Sequence, residues 1–287
     1  MKVSVIVPTY NRAHMVTETI DSILTQTCPD FELIIIDNES TDNTEAVINS
    51  YTDERIRYFK HQNNGVVAVN RNYGIGKAQG EYIAFCDDDD LWMQEKLEKQ
   101  LLGFGEDSQI GLVCTNAINF DKDGEHGKLL KTKLKDRNFQ FEELIWRNRI
   151  IGPSVMVRKE AIGTVGLLDE SPEIFTVEDY ELWLRIAKQY KIKYIDLPLI
   201  KYRTHPGAYS KNYSERKTLE IVICRKLLDK GIIGSDLYQK RINRSNREIL
   251  ILKLLRYKWA IECTFSLVRV FLRITNGIRK LLGRDTK

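Results

Sequence analysis

Short apolar runs alternate with amphipathic segments through the first half of the chain. Val3–Val7 predicts a buried strand. Downstream, Val16, Ile20, Ile23 and Leu24 recur at helical spacing, whereas Met15, Thr19, Ser22 and Gln26 fall off that apolar face. Phe31–Ile36 predicts a second buried strand, Asp42–Tyr51 a helix with an acidic start, and Arg55–Phe59 a third strand. Val66–Ala78 predicts a helix entered through Asn63-Asn64-Gly65, and Tyr82–Cys86 a fourth strand. Alternation of this kind predicts an α/β fold, a mostly parallel sheet with right-handed helical crossovers. The second half is less regular. Gly111–Phe120, Val155–Val157 and Ile192–Asp196 read as strands, Asp121–Gly124 as a turn and Val177–Tyr190 as an amphipathic helix. From Ser214 onward the pattern is helical.

In open α/β sheets, ligands bind beyond the carboxyl ends of the strands. Each predicted strand of the first half delivers polar residues there: Pro8-Thr9-Tyr10-Asn11, then Asp37-Asn38-Glu39-Ser40, then His61-Gln62-Asn63-Asn64-Gly65, then Asp87 to Asp90. Four successive carboxylates repel one another unless a cation neutralises them. Oxygen ligands favour Mg²⁺ or Mn²⁺, whose remaining positions are commonly filled by phosphate. The edge therefore predicts a divalent cation and a diphosphate. A second reading gives Asp90 to the first turn of the helix predicted over Met93–Phe104, where a carboxylate meets the positive end of the dipole. Rival phosphate motifs fail. Gly74-Ile75-Gly76 ends a helix rather than opening one, and no GxxxxGK[ST] occurs.

Composition changes the picture mainly through charge. Of 287 residues, 43% are hydrophobic and 29% charged, enough for a packed core. The 5 cysteines are scattered without a CxxC pair, which argues against a zinc module or disulfide framework and fits a reducing cytosol. The net charge of +4 hides an asymmetry: 25 basic against 33 acidic residues up to Ser210, and 19 against 7 beyond it. No signal peptide or membrane span is expected; the most apolar stretch, Trp259–Ile274, is broken by Glu262, Arg269 and Arg273. On a helical wheel Val270, Phe271, Ile274, Ile278, Leu281 and Leu282 gather around Leu267, with Arg269, Arg273, Lys280 and Arg284 opposite. That pattern suits either peripheral membrane contact through residues 259–287 or packing on the body of the protein. No aromatic-interleaved basic motif points to nucleic acid.

The motifs VSVIVPTYNR, FELIIIDNESTDNT (31–44), NNGVVAVNRNYGI (63–75) and GEYIAFCDDDDLW (80–92) resemble those of the inverting nucleotide-sugar glycosyltransferases of family 2. IGPSVMVRKEA (151–161), VEDYELWLRIA (177–187) and YRTHPGAYS (202–210) extend the resemblance to about residue 210. It implies a GT-A fold, a Rossmann-like, mostly parallel sheet flanked by helices. Residues 1–92 would form the nucleotide-binding half, 93–210 the acceptor half, and 211–287 a basic helical extension. By resemblance, Pro8, Thr9, Tyr10, Asn11, Asp37, Asn64, Arg71, Asn72, Asp87 and Asp88 would line the donor nucleotide. Asp87-Asp88-Asp89 matches the family's DxD motif, so Asp87 and Asp89 would hold Mn²⁺ or Mg²⁺. His205 lies where relatives place a metal- or diphosphate-side histidine, although a surface group is an equal reading. Glu178-Asp179 matches the acidic pair near the acceptor, with Asp179 as general base and Ser154 on the same side. Asp179 also reads as an exposed first-turn residue of its helix.

The implied activity is single-sugar transfer from a nucleotide sugar, UDP-linked by family habit, to a glycan or lipid-linked glycan in bacterial surface polysaccharide synthesis. It would take place in the cytoplasm, peripherally on the membrane face. The QxxRW motif and membrane spans of processive synthases are absent from the sequence. A sugar-phosphate nucleotidyltransferase and a non-catalytic nucleotide- or membrane-binding protein are the alternatives.

Overall fold

A computed structural model describes residues 1–130, 135–205 and 213–252. The first half folds as strand–helix units: β1 (Val3–Thr9), α1 (Val16–Leu24), β2 (Phe31–Asp37), α2 (Thr44–Asn49), β3 (Ile56–Lys60), α3 (Val67–Lys77) and β4 (Tyr82–Phe85). Then come β5 (Leu91–Trp92), α4 (Lys96–Phe104), β6 (Ile110–Asp121), β7 (Gly124–Lys128), β8 (Arg137–Phe139) and α5 (Phe141–Leu144). They are followed by β9 (Met156–Arg158), α6 (Lys159–Val165), α7 (Glu178–Gln189), β10 (Lys191–Arg203) and α8 (Tyr213–Asp229). A further helical run covers 235–252.

The strands form one mixed sheet in the order β3-β2-β1-β4-β9-β6-β10-β5, with β7 on β6 and β8 on β10. Pairs β1/β2, β1/β4, β2/β3 and β6/β10 are parallel; β9 runs antiparallel to both β4 and β6. Every residue of β1 and β2 is buried, as expected of central parallel strands covered on both faces. Helix packing explains one of the glycines that mimic a phosphate loop: a Cβ on Gly74 would come within 2.8 Å of Ile6 and Ile36, so Gly74 serves close contact between α3 and the sheet. The predicted turn at Asp121–Gly124 joins β6 to β7. The short elements β5, β8, α5 and α6 were not expected from the pattern. All are seven residues or fewer, too short for a periodicity to stand out.

The residues off the apolar face of α1 and just beyond its end have a structural role. Thr19 and Gln26, off the apolar face, are buried rather than solvated. Thr19 Oγ1 donates to the carbonyls of Asp88 (3.0 Å) and Asp90 (2.9 Å). Ser22 Oγ accepts the Trp92 N–H, and Gln26 donates to the Met93 carbonyl while accepting the Leu97 N–H. The polar stripe of α1 is thus a row of partners for the main chain of 88–97. Thr19→Val, which keeps the shape and removes the hydroxyl, is expected to cost about 1–3 kcal/mol by stranding buried carbonyls. Thermal unfolding measures it, and an unchanged midpoint would refute the assignment.

Contacts divide the chain into two units. One comprises Met1–Lys211 with Asp229–Ile232, the other Asn212–Leu228 with the chain from Ile233 onward. Within the second, Glu220 pairs with both Lys217 (2.9 Å) and Arg241, all buried. No helix among the described residues is long and apolar enough to cross a membrane. The amphipathic pattern over 259–287 lies outside the described residues.

Candidate active site

The loops after β1 to β4 meet along one sheet edge, and the backbone there is unusual. Among the described residues the non-glycines with positive φ are Asn11 (51°), Glu39 (57°), Asn64 (51°) and Thr176 (74°). The first three follow β1, β2 and β3, and Thr176 sits two residues before α7. Left-handed backbone costs energy for residues with a Cβ, most of all for a β-branched one, and such outliers concentrate at functional sites.

Asp37, at the end of β2, is fully buried. Its Oδ1 accepts from Ser40 Oγ (2.6 Å) and Ser40 N (2.8 Å), and its Oδ2 from Tyr58 (2.6 Å). Asn11 Oδ1 accepts the Thr41 N–H at 2.8 Å, and its own N–H reaches Ser40 Oγ, so the loops after β1 and β2 brace each other. Pro8 is buried in β1, whereas Tyr10 is 52% exposed and Asn64 is exposed at the head of α3. Asn63 N–H donates to Asn38 Oδ1, tying the third loop to the second.

The four carboxylates after β4 go to four different places. Asp87 Oδ1 accepts from Arg71 (2.8 Å). Asp88 Oδ2 accepts from Thr9 (2.8 Å), with Arg12 3.6 Å from its other oxygen. Asp89 Oδ2 lies 2.9 Å from His205 Nε2. Asp90 Oδ1 accepts the Arg203 N–H (2.8 Å), and Arg203 Nε donates to the Asp89 carbonyl (2.7 Å). The helical reading of Asp90 is corrected by this geometry: α4 begins at Lys96, six residues later, so Asp90 anchors β10 instead.

Their mutual repulsion persists. Burial, reinforced by the Asp89 charge, pushes the Asp88 carboxyl up to about 7. Burial and Asp87 raise Asp90 well above the carboxylate range. Asp87 is raised by burial, with Arg71 opposing and Asp89 adding. Such a loop carries more negative charge than its own arginines neutralise.

Across the cleft stands α7. Arg71, on α3, reaches both sides: one nitrogen donates to Asp87 (2.8 Å), the other to Glu178 (2.7 Å). Burial works against the Arg71 cation, but Asp87, Glu178 and Asp179 outweigh it and raise its pKa. Asp179 Oδ1 accepts its neighbour's N–H, from Tyr180 (2.6 Å), in the first turn of α7. The carboxylate is not a solvated helix-end group: burial and the Glu178 charge, with Arg71 opposing, push it up to about 7. A Cβ on Gly152 would lie 2.8 Å from Asp179 Oδ2, so only glycine leaves room for the carboxylate there. Arg71, Phe85, Gly152, Leu168, Asp179 and Trp183 line a small cavity at this point.

Two residues named from the sequence turn elsewhere. Asn72 is buried; its amide donates to the Leu168 carbonyl (2.9 Å) and Glu170 (2.8 Å), and its Oδ1 accepts the Leu168 N–H. Ser154 is fully buried and donates to the Ile151 carbonyl at 2.7 Å. Both hold loops rather than open space. Two further histidines are engaged away from the acidic loop: His61 meets Asn70 at 2.9 Å and stacks on Tyr73, and His126 pairs with Asp121. Arg12, Thr19, Gly152 and Arg203 were not assigned from sequence. Arg12 pairs with the Asp88 carboxylate, Thr19 and Arg203 bind main-chain carbonyls of the acidic loop, and Gly152 acts by lacking a side chain, contacts that the linear spacing of these residues does not announce.

The family model described as "Glycosyl transferase family 2" matches residues 4–166. The putative teichuronic acid biosynthesis glycosyltransferase TuaG of Bacillus subtilis is 34% identical over 214 residues, covering 73% of this chain and 82% of that protein. The Escherichia coli UDP-Glc:alpha-D-GlcNAc-diphosphoundecaprenol beta-1,3-glucosyltransferase WfgD is 31% identical, covering 73% and 80%. An uncharacterized glycosyltransferase of Rickettsia felis is 39% identical over 210 residues, but that match takes in 72% of this chain and only 33% of the longer protein. Among solved structures, S. aureus TarS in complex with UDP-GlcNAc superposes with a TM-score of 0.66 at 21% identity, covering 79% of this chain and 67% of TarS. At that identity the likeness establishes the GT-A fold. The motifs, the fold and these matches together show that this chain belongs to the family 2 glycosyltransferases.

Proposed function

We propose that the chain is an inverting, metal-dependent glycosyltransferase that moves one sugar from a UDP-sugar to a glycan or lipid-linked glycan acceptor. The observation that carries this reading is the Arg71 clamp. One guanidinium bonds Asp87 on the acidic-loop side and Glu178 on the α7 side, and so holds Asp179 opposite the loop. Donor and acceptor would meet between them.

The chemistry follows from those positions. The acceptor hydroxyl oxygen forms a bond to the anomeric carbon as the bond from that carbon to the diphosphate oxygen breaks. Attack from the face opposite the leaving group inverts the centre. Asp179, ionised, takes the hydroxyl proton, and without that transfer the neutral hydroxyl is a poor nucleophile. The nucleoside diphosphate leaves with the electron pair.

A divalent cation fits the acidic loop. Among the described residues no group of three or more His, Cys, Asp or Glu side chains is arranged to hold a metal. Asp89 and His205, however, already converge within 2.9 Å, and burial, with the neighbouring carboxylate charges adding to it, raises the pKa of Asp88 and Asp90. Two protein ligands suit a hard cation that completes its shell with diphosphate oxygens and water. Asp89 and His205 would hold it, with Asp87 alongside, and when bound it neutralises charge on the departing diphosphate. A structural neighbour, the Pyrobaculum calidifontis mannosyltransferase PcManGT, was solved with GDP-Man and Mn²⁺.

The names of WfgD and TuaG favour a UDP-sugar donor, a lipid-linked acceptor and polysaccharide assembly. Work on a lipid-linked acceptor would give peripheral contact with the cytoplasmic membrane face a purpose. The test is a thermal-shift screen of nucleotide sugars with Mn²⁺. A UDP-sugar at about 100 times its Kd is expected to stabilise the fold by about 2.7 kcal/mol, only when Mn²⁺ is present. Stabilisation by GDP- but not UDP-sugars would overturn the donor assignment.

A further inference from the structure

The cavity behind Asp179 has properties that sugar transfer alone does not explain. It offers about 10 Å³ to the centre of a water-sized sphere, close to the space one water molecule requires. Its lining contributes two buried donors with no protein partner, Trp183 Nε1 and Arg71 Nε. Trp183 is 1% exposed, one helical turn beyond Asp179 on α7, so both side chains lie on the same face. Phe85, Leu168 and the bare Gly152 supply apolar surface to the rest of its wall, which stays partly open to the cleft. Asp179 Oδ1 is engaged by the Tyr180 N–H, while Oδ2 faces Gly152. Buried N–H groups without partners are costly, and a water needs two to four polar neighbours to stay in a cavity. Here it would have three.

We infer that one ordered water molecule occupies this pocket, accepting from Trp183 Nε1 and Arg71 Nε and donating to Asp179 Oδ2. Trp183 is then a positioning residue for Asp179: its indole N–H acts on the carboxylate through the water. This rests on the reading of Asp179 as general base. The water has two consequences. It orients the carboxylate through Oδ2, whose second lone pair stays free to take the acceptor proton. It also carries the Trp183 dipole to the ionised form, which a buried carboxylate between Glu178, Asp87 and Arg71 needs. Those three are the charged groups acting on Asp179; the Gly152 turn, Phe85 and Leu168 add none.

The test combines a crystal structure of the full chain with the pH profile of transfer. The structure is expected to show an ordered oxygen within about 3.2 Å of both Trp183 Nε1 and Asp179 Oδ2. Trp183→Phe keeps an aromatic ring and removes the donor. It is expected to move the acidic limb of the pH–rate profile up by about one unit while leaving UDP affinity unchanged. Gly152→Ala guards against a misfolded Phe variant, because its methyl enters from the other side, displaces the carboxylate and expels the water. It should lower kcat about tenfold or more with donor KM retained. An empty pocket in the crystal, or a Trp183→Phe limb identical to wild type, overturns the inference. If Asp179→Asn itself transfers normally, the base assignment fails first, and the limb belongs to another group.

Discussion

Asp179→Asn is expected to bind UDP and Mn²⁺ as the native protein does and to lose sugar transfer by about 10²–10⁴-fold, the usual contribution of a positioned base. The amide keeps the size of the side chain and its hydrogen bond from Tyr180, but it has no basic oxygen for the acceptor proton. The native enzyme should also show a pH signature. Asp179 is pushed up to about 7 by burial and by Glu178, and only the ionised form works. Transfer should therefore rise with pH through about 7 and fall away below it, and the residual rate of the Asn variant should lack this limb. The linkage to stability has the opposite sign. A carboxyl whose folded pKa lies above its unfolded value of about 3.9 binds an extra proton in the folded state between those values. Its contribution to stability is therefore greatest at low pH and declines as pH rises through about 4 to 7. Asn should flatten that decline, which equilibrium unfolding at pH 5 and pH 8 would reveal. Near-native transfer by the Asn variant would remove Asp179 from the mechanism.

Asp89→Ala is the second large effect. Asp89 combines the His205 contact with a partly exposed carboxylate that no arginine or lysine among the described residues neutralises directly. Its loss should abolish Mn²⁺-dependent stabilisation by UDP and lower transfer by about 10³-fold, since a metal on the leaving group supplies several kcal/mol. Isothermal titration of Mn²⁺ into the UDP-bound protein separates the two readouts. If the Ala variant still binds the metal with native affinity, the half-site of Asp89 and His205 is not where it sits. Asp88→Ala is a useful contrast, because Asp88 turns inward to Thr9 and Arg12.

Much of the fold was legible because its central strands are buried on both faces. Runs such as FELIIID leave no other element open, and helices of the first half announce themselves by spacing. The candidate site was legible where side chains carry the chemistry: the acidic run after β4 and Glu178-Asp179 sit opposite each other, joined by Arg71. It was illegible where main-chain atoms or empty space do the work. Nothing about Gly152 in IGPSV indicates that a carboxylate 27 residues later needs its missing side chain. Asn72 sits in a family motif yet bonds the Leu168 loop, because α3 turns that position away from the cleft. The four aspartates read as one cluster in sequence, but consecutive residues in an extended loop point in different directions, and each found a separate partner.

The polar stripe of α1 also limits how this loop can vary. Thr19, Ser22 and Gln26 grip carbonyls and amides of 88–97 and ignore the side chains they belong to. Such a comb is indifferent to which residues pass through it and intolerant of how many. Substitutions at exposed points of that stretch should be accepted freely, whereas inserting or deleting a single residue would put every tooth out of step. The spacing between the acidic run and α4 is therefore the quantity to preserve when the loop is grafted or redesigned.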